Sequence, residues 1–317
     1  MKCRKNLIFG AGMYGCLIAK SILKKGEALV GFIDNNSSIQ GMEIKVFEES
    51  KETYKIYAVE NILKLEFERI IIATVHEKFT AEIKEQLADF VANGIEVEAI
   101  TDSMELRTDA LAQIVEYKEY EDQRVSFIRD VAKWMRERNI EGAVAECGVW
   151  MGDLSYYINK YYPDRTCYLF DTFEGFSDED ISKEFELNDS NFVEGPFATE
   201  MHFKTEVDQI QVVEKKLLHL ENCIIKKGYF PESANGLDDR FCFVNLDMDL
   251  YAPMYAGLEF FYEKMSTTGV LLLHDYFNEG LPGVKKAVED FEMKIGRYLV
   301  KVPIGDGCSI AIIKDEM

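Results

Sequence analysis

The sequence predicts an α/β protein of two modules, each built on a mostly parallel sheet. Three observations carry that expectation. Short apolar runs alternate with stretches of helical period, as strands joined by crossover helices do. Two of those runs end in glycine-rich turns that open a helix, Gly10-x-Gly12-x-x-Gly15 and Glu146-Cys-Gly148-Val-Trp-Met-Gly152. A charged stretch over 102–139 separates the two series. The 317 residues amount to two domains at roughly 100–200 residues each. The expected organisation is a first module at 1–101, a helical connector at 102–139 and a second module at 140–317.

In the first module, residues 6–9 read as a strand and the helix pattern after the glycine turn runs to Lys25, with Gly26 where a helix should stop. A second strand at 28–33 ends in the turn-forming Asp34-Asn-Asn. A strand at 70–73, a helix near 78–91 and a strand at 95–100 follow. The span is short for a full six-stranded dinucleotide fold, so a small Rossmann-like module is expected. Gly10, Gly12 and Gly15 would let the backbone approach a phosphate, and Asp34 would hold ribose hydroxyls. A nucleotide or nucleotide sugar is the ligand this suggests. Similar turns also occur in α/β modules with no cofactor, and redox chemistry is not expected.

The 102–139 stretch places Ile114, Val115 and Tyr117, then Phe127, Ile128, Val131, Trp134 and Met135, at helical spacing. These helices should connect the modules and pack on the second, and their apolar faces would suit a homo-oligomer. In the second module, strands at 143–146, 167–170, 223–226, 241–246 and 270–273 precede a hairpin of 298–302 and 309–313 around Gly305-Asp-Gly307. Together they make a seven-stranded sheet, mostly parallel, with a terminal antiparallel hairpin. Residues 177–201 are polar and aperiodic, and are expected to form a long lid or substrate loop.

Composition narrows the function. Acidic residues outnumber basic ones 57 to 36, for a net charge of −21. Such a surface repels nucleic acid and anionic membranes and favours a small or neutral substrate. Seven cysteines, an odd number without a CxxC, fit reduced thiols in the cytoplasm. No run reaches the roughly 18 uncharged apolar residues of a membrane span. The apolar run 7–19 is broken by three glycines and is not expected to be a signal peptide.

The chemistry concentrates at strand ends in the second module. The turn from Glu146 to Gly152 and the Asp171 that ends the next strand would deliver glycines and a carboxylate to one crevice. An acidic turn suits a zwitterionic or cationic ligand better than a pyrophosphate. Next come Asn245-Leu-Asp247-Met-Asp249-Leu-Tyr251 and Leu273-His274-Asp275-Tyr276. In extended chain Asp247 and Asp249 point the same way, with Met248 opposite. Adjacent strands would bring His274 and Asp275 to them, and such groups are costly together unless they share a cation or a proton. Carboxylates with an imidazole suit a hard-to-borderline divalent metal.

These motifs, with Asp171-Thr-Phe-Glu-Gly175 and Gly228-Tyr-Phe-Pro231 in the same order, resemble the macrocin O-methyltransferase (TylF/MycF) family over about 140–317. The resemblance implies a class I methyltransferase fold and an S-adenosylmethionine- and magnesium-dependent sugar O-methyltransferase. It implies that Glu146, Gly148 and Gly152 line the methionine side of the cofactor, that Asp171 binds its ribose, and that Gly228 and Tyr229 lie near the adenine. Asp247 and Asp275 would be metal ligands and Asp249 the general base. His274 stands where the family usually has another aspartate. As a ligand it leaves room for manganese; the other readings are a residue that orients the ligands from behind, or an acid–base residue. The first module resembles nucleotide- or sugar-binding modules attached to carbohydrate-modifying enzymes, so a nucleotide-linked or glycan sugar is the expected acceptor. Two alternatives stay open: a catechol-type enzyme with a slot walled by Trp150, Phe173 and Phe176, and a catalytically silent nucleotide-sugar-binding protein.

Overall fold

The structure, a computed structural model, describes residues 4–47, 50–114, 122–187 and 207–315. Among the described residues the chain forms two compact units, one holding residues up to 114 together with 207 and 208, the other holding the rest from 122 onward.

The first unit runs β1 (Lys5–Phe9), α1 (Met13–Lys24), β2 (Ala28–Ile33), β3 (Glu43–Ile44), β4 (Tyr54–Tyr57), β5 (Arg69–Ile72), α2 (Glu77–Gln86), α3 (Ala88–Ala92), β6 (Glu96–Ala99) and α4 (Met104–Leu111). Its sheet has six strands in the order β3-β4-β2-β1-β5-β6, all parallel neighbours except β3 and β4. Six strands are thus present where a smaller sheet was expected. The difference lies in β3 and β4, with two and four residues and one buried side chain, Ile56, between them. Strands that short carry no readable period. In β1, Ile8 enters one core while Leu7 and Phe9 enter the other, so the sheet is covered on both faces.

The second unit runs α5 (Gln123–Glu137), β7 (Ala143–Cys147), α6 (Asp153–Tyr161), β8 (Cys167–Asp171), α7 (Asp178–Leu187), α8 (Gln209–Lys216), β9 (Cys223–Lys227), β10 (Phe241–Leu246), α9 (Tyr251–Tyr262), β11 (Met265–Leu273), α10 (Pro282–Ile295), β12 (Val300–Pro303) and β13 (Ile310–Ile313). The sheet is seven-stranded, β12-β13-β11-β10-β7-β8-β9, with β13 antiparallel to both neighbours and the remaining pairs parallel. Alternate residues of the central strands, such as Ala145 and Val244 against Val144 and Phe243, feed two separate cores. The chain leaves β7 towards β8 and β9, then returns to β10 and β11 on the other side. The switch point therefore lies between β7 and β10, and open α/β sheets bind ligands beyond the carboxyl ends there.

The helices of 102–139 divide between the units. Leu106 and Ala110 of α4 join a core of the first, while Val125, Ile128, Ala132 and Met135 of α5 join a core of the second. Val115 and Tyr117 lie outside the described residues. Among the described residues, no helix is long and apolar enough to cross a membrane.

The expected loop at 177–201 is corrected in part: residues 178–187 are helix α7, and 188–201 lie outside the described residues. The Ser177 hydroxyl accepts the N–H of Asp180 at 3.1 Å, and Asp178, Glu179 and Asp180 sit where a helix dipole favours negative charge. So few apolar residues populate this helix that its period is hidden. Its anchor is polar. The Glu184 carboxylate is buried and accepts the N–H of Tyr251 at 2.9 Å and of Gly283 at 2.8 Å, in the first turns of α9 and α10. One side chain thereby satisfies amides that two helices leave without partners. A Cβ on Gly283 would overlap that carboxylate.

Gly283→Ala should destabilise the protein by about 1–3 kcal/mol through overpacking. In a Glu184→Ala background the same change should be neutral or favourable, since Ala exceeds Gly in helix propensity by up to about 1 kcal/mol. Urea unfolding of the four proteins of this cycle measures the coupling, and additive costs would remove the contact from the account.

Candidate active site

The site begins with a close approach of two backbones. Gly148, at φ +86°, follows β7, and a Cβ there would overlap the Asp247 carbonyl beyond β10. The Asp247 N–H donates to the Cys147 carbonyl at 2.9 Å and the Gly148 N–H to the Phe170 carbonyl at 3.0 Å. Only glycine combines that φ with that contact. Asp171 ends β8 and closes the turn: its Oδ2 accepts the N–H groups of Val149 and Trp150 at 2.7 and 2.8 Å, and its Oδ1 that of Phe173 at 2.7 Å.

These strand ends border a cleft of ≈ 370 Å³. Gly148, Asp171, Gly228 and Tyr229 line it, as do Asp247, Asp249, His274 and Asp275. Trp150, Phe173 and Phe176 line it too. The Tyr229 hydroxyl donates to Asp180 of α7 at 2.8 Å. Two expected cofactor residues lie elsewhere. Glu146 is buried beneath the turn, taking hydrogen bonds from the Ser155 hydroxyl and, at 3.2 Å, the Asn245 amide. Gly152, at φ +75°, caps α6 and faces Val213 of α8.

The four acidic and imidazole side chains converge, each offering a donor atom within 4.8 Å of the others. His274 Nδ1 lies 3.0 Å from Asp247 and 2.7 Å from Asp275. Burial pulls the imidazole pKa down, but the Asp247 carboxylate and hydrogen bonds to both aspartates outweigh it and push it up to about 11. The resulting imidazolium offsets the carboxylates as a cation would. Burial, then Asp247 and Asp275, pushes the Asp249 carboxyl well above the usual range. Asp275 is buried too, yet hydrogen bonds from His274 and from the Asn278 amide, at 2.8 Å, hold it well below.

Asp247 and Asp249 do not converge by strand alternation, as the sequence reading supposed. The strand ends at Leu246, and a tight turn follows in which the Leu250 N–H meets the Met248 carbonyl at 2.6 Å and Asp249 adopts φ +61°. Met248 packs into the core and also lines the cleft beside the two aspartates. Left-handed backbone recurs around the cleft, at Trp150 (+47°), Phe173 (+53°) and Asp275 (+60°). Each such residue costs about 1–3 kcal/mol, and functional sites are where such strain collects.

Sequence reasoning missed Arg124. It lies in the first turn of α5, buried, and its Nη1 donates to Asp247 Oδ2 at 3.0 Å.

In the first unit, Gly10 (φ +108°) ends β1, and a Cβ on Gly15 would overlap its carbonyl. Asp34, at the end of β2, accepts the Ala11 N–H at 2.9 Å, as Asp171 does for its own turn. Around Gly12 a Cβ would meet nothing within 4 Å.

A family model described as Macrocin-O-methyltransferase (TylF) matches residues 76–303. The chain belongs to this family. It is an S-adenosylmethionine-dependent sugar O-methyltransferase of the TylF type. A second model, C2185-like, N-terminal, matches residues 2–101. No curated protein matches the chain. Among solved structures, the O-methyltransferase NovP is 19% identical, covering 68% of this chain and 100% of its own, with TM-score 0.49. The calicheamicin methyltransferase CalS11 is 15% identical, covering 68% and 93%, with TM-score 0.50. At that identity the CalS11 likeness is one of fold.

Within this TylF-family site, Glu146 titrates where it can be measured. Burial pushes its carboxyl up to about 8, assisted by Asp247 and opposed by Ser155 and Asn245. A carboxyl that holds its proton more tightly when folded gives stability that is complete below its unfolded pKa and lost as pH rises through the folded one. Melting temperature should therefore fall between about pH 4.5 and 8, and Glu146→Gln should flatten that decline. Parallel slopes for the two proteins would contradict the assignment.

Proposed function

We propose that this enzyme methylates a hydroxyl of a nucleotide-linked or glycan sugar in the cytoplasm, with a divalent cation, Mg²⁺ or Mn²⁺, held by Asp247, His274 and Asp275. The observation that carries this reading is the convergence of Asp247, Asp249, His274 and Asp275 beside a cleft bordered by Gly148 and Asp171. Three carboxylates and an imidazole are a donor set for hard-to-borderline ions. The six cysteines among the described residues are free, which suits a reducing compartment.

S-adenosylmethionine supplies an electrophilic methyl group, and a divalent ion, when bound, lowers the pKa of a hydroxyl that it holds. The chain's own groups do the rest. Gly148 keeps the turn low enough for a ligand to lie across it, and Asp171 offers its carboxylate to ribose hydroxyls. Gly228 and Tyr229 border the adenine end. Glu146 and Gly152 support the methionine end from beneath the turn and at the cap of α6. Asp249 takes the acceptor's proton. A carboxylate whose pKa is raised is a stronger base once ionised, which is the property a weakly acidic alcohol requires. Arg124 fixes one oxygen of Asp247 and leaves the other towards the cluster. Holding acceptor and donor in line accounts for much of the rate.

In the first unit, a nucleotide or nucleotide sugar would lie over Gly10, Gly12 and Gly15, with Asp34 at its ribose. The open space above Gly12 supports this placement.

Asp249→Asn should reduce methyl transfer from labelled S-adenosylmethionine to a sugar-nucleotide panel by about 10²–10⁴-fold. Calorimetric cofactor affinity should stay nearly unchanged. Lost cofactor binding would remove Asp249 from the base role. Full activity of the unaltered enzyme in excess chelator would remove the cation. Turnover of catechols in place of sugars would favour the aromatic walls of Trp150, Phe173 and Phe176 as the acceptor slot, and no turnover with either would favour a silent binding protein.

A further inference from the structure

We propose that His274, Asp275 and Cys308 form a thiophilic cation site that shares two ligands with the carboxylate cluster, so that a zinc-class ion competes there with a hard one. The proposal rests on the cation reading above for His274 and Asp275, and Cys308 is what it adds.

Asp275 has two working faces. Its Oδ2 meets His274, while its Oδ1 accepts the Asn278 amide at 2.8 Å and the Cys308 thiol at 3.4 Å. One donor atom each from His274, Asp275 and Cys308 falls within a 4.8 Å group. The thiol is held there by the hairpin between β12 and β13. Asp306 Oδ1 accepts the N–H groups of Cys308 and Ser309 at 2.9 and 2.7 Å, and its Oδ2 takes the Ser309 hydroxyl at 2.6 Å. The Cys308 carbonyl in turn accepts the Phe277 N–H at 2.9 Å, which ties the hairpin to the loop that carries Asp275. Thiol, carboxylate and imidazole are therefore presented by two segments bonded to each other.

Sulfur, nitrogen and oxygen from Cys, His and Asp are the three ligand types of protein zinc sites. A thiolate shifts preference from magnesium towards softer ions, and the Cys308 thiol proton and the proton of the His274 imidazolium are both released to solvent as the cation binds. Because His274 and Asp275 belong to both ligand sets, the two kinds of ion exclude one another. Zinc would act on this enzyme as an antagonist of its hard cation.

Cobalt(II) is the probe, titrated anaerobically under reducing conditions into the full-length protein after chelator treatment and followed by absorption. An intense near-ultraviolet sulfur-to-cobalt band should appear beside the visible ligand-field bands. Cys308→Ser should abolish the sulfur band and weaken zinc binding by about tenfold or more, with circular dichroism unchanged. Asp247→Asn should retain it. Visible bands without the sulfur band would overturn the Cys308 site while leaving the cation reading intact. A sulfur band that survives in Cys308→Ser would belong to another thiol and overturn it as well. No cobalt bands at all would overturn both readings.

Discussion

The geometry of the site depends on how closely the end of β7 passes the end of β10. Gly148 gives up the space of a side chain to the Asp247 carbonyl, and the two strands remain bonded through the Cys147 carbonyl at 2.9 Å. That contact sets the distance between the halves of the cleft. On one side is the turn whose amides Asp171 gathers, and on the other the aspartates and His274. Any larger residue would part the strands, and displacements near 1 Å in a reacting pair can cost about 10²-fold in rate.

Electrostatics then separates carboxyls that share one place. Asp275 is buried and Asp249 half-buried, yet their pKa values move apart. Asp275 receives hydrogen bonds from His274 and Asn278, whereas Asp249 faces other carboxylates. Environment rather than residue type sets the two carboxyls apart, as in other enzymes that use paired acids. Arg124 and His274 bring positive charge to opposite oxygens of Asp247. In a chain of net charge −21, that local balance is built residue by residue.

Much of this was legible in the sequence because parallel sheets bring their strand ends together. Gly148, Asp171, Asp247 and His274 each follow an apolar run, so a linear pattern maps onto one edge. Residues that act across topology were not legible. Arg124 lies on a helix 123 positions from Asp247, and nothing in its own turn marks it as a partner. Glu184 is one acid among several in α7, and only the fold reveals that it binds two helix ends. Glu146 and Gly152 carry the family pattern, yet Glu146 is buried against Ser155 and Gly152 caps α6, and neither lines the cleft. In the first unit, β3 and β4 are too short to show a period, which is why a six-stranded sheet read as a smaller one.

The left-handed residues around the cleft carry a further consequence. Six non-glycine residues among those described have positive φ, and four of them, Trp150, Phe173, Asp249 and Asp275, border the cleft. Glycine at those positions would relax the backbone, so directed evolution for heat resistance alone would be drawn towards them. Each such gain would delete a side chain that lines the cleft. Robustness and turnover thus pull in opposite directions at the same few codons, and a hardier variant of this enzyme is better sought at Asn139 and Thr268, where the same backbone shape occurs away from the cleft.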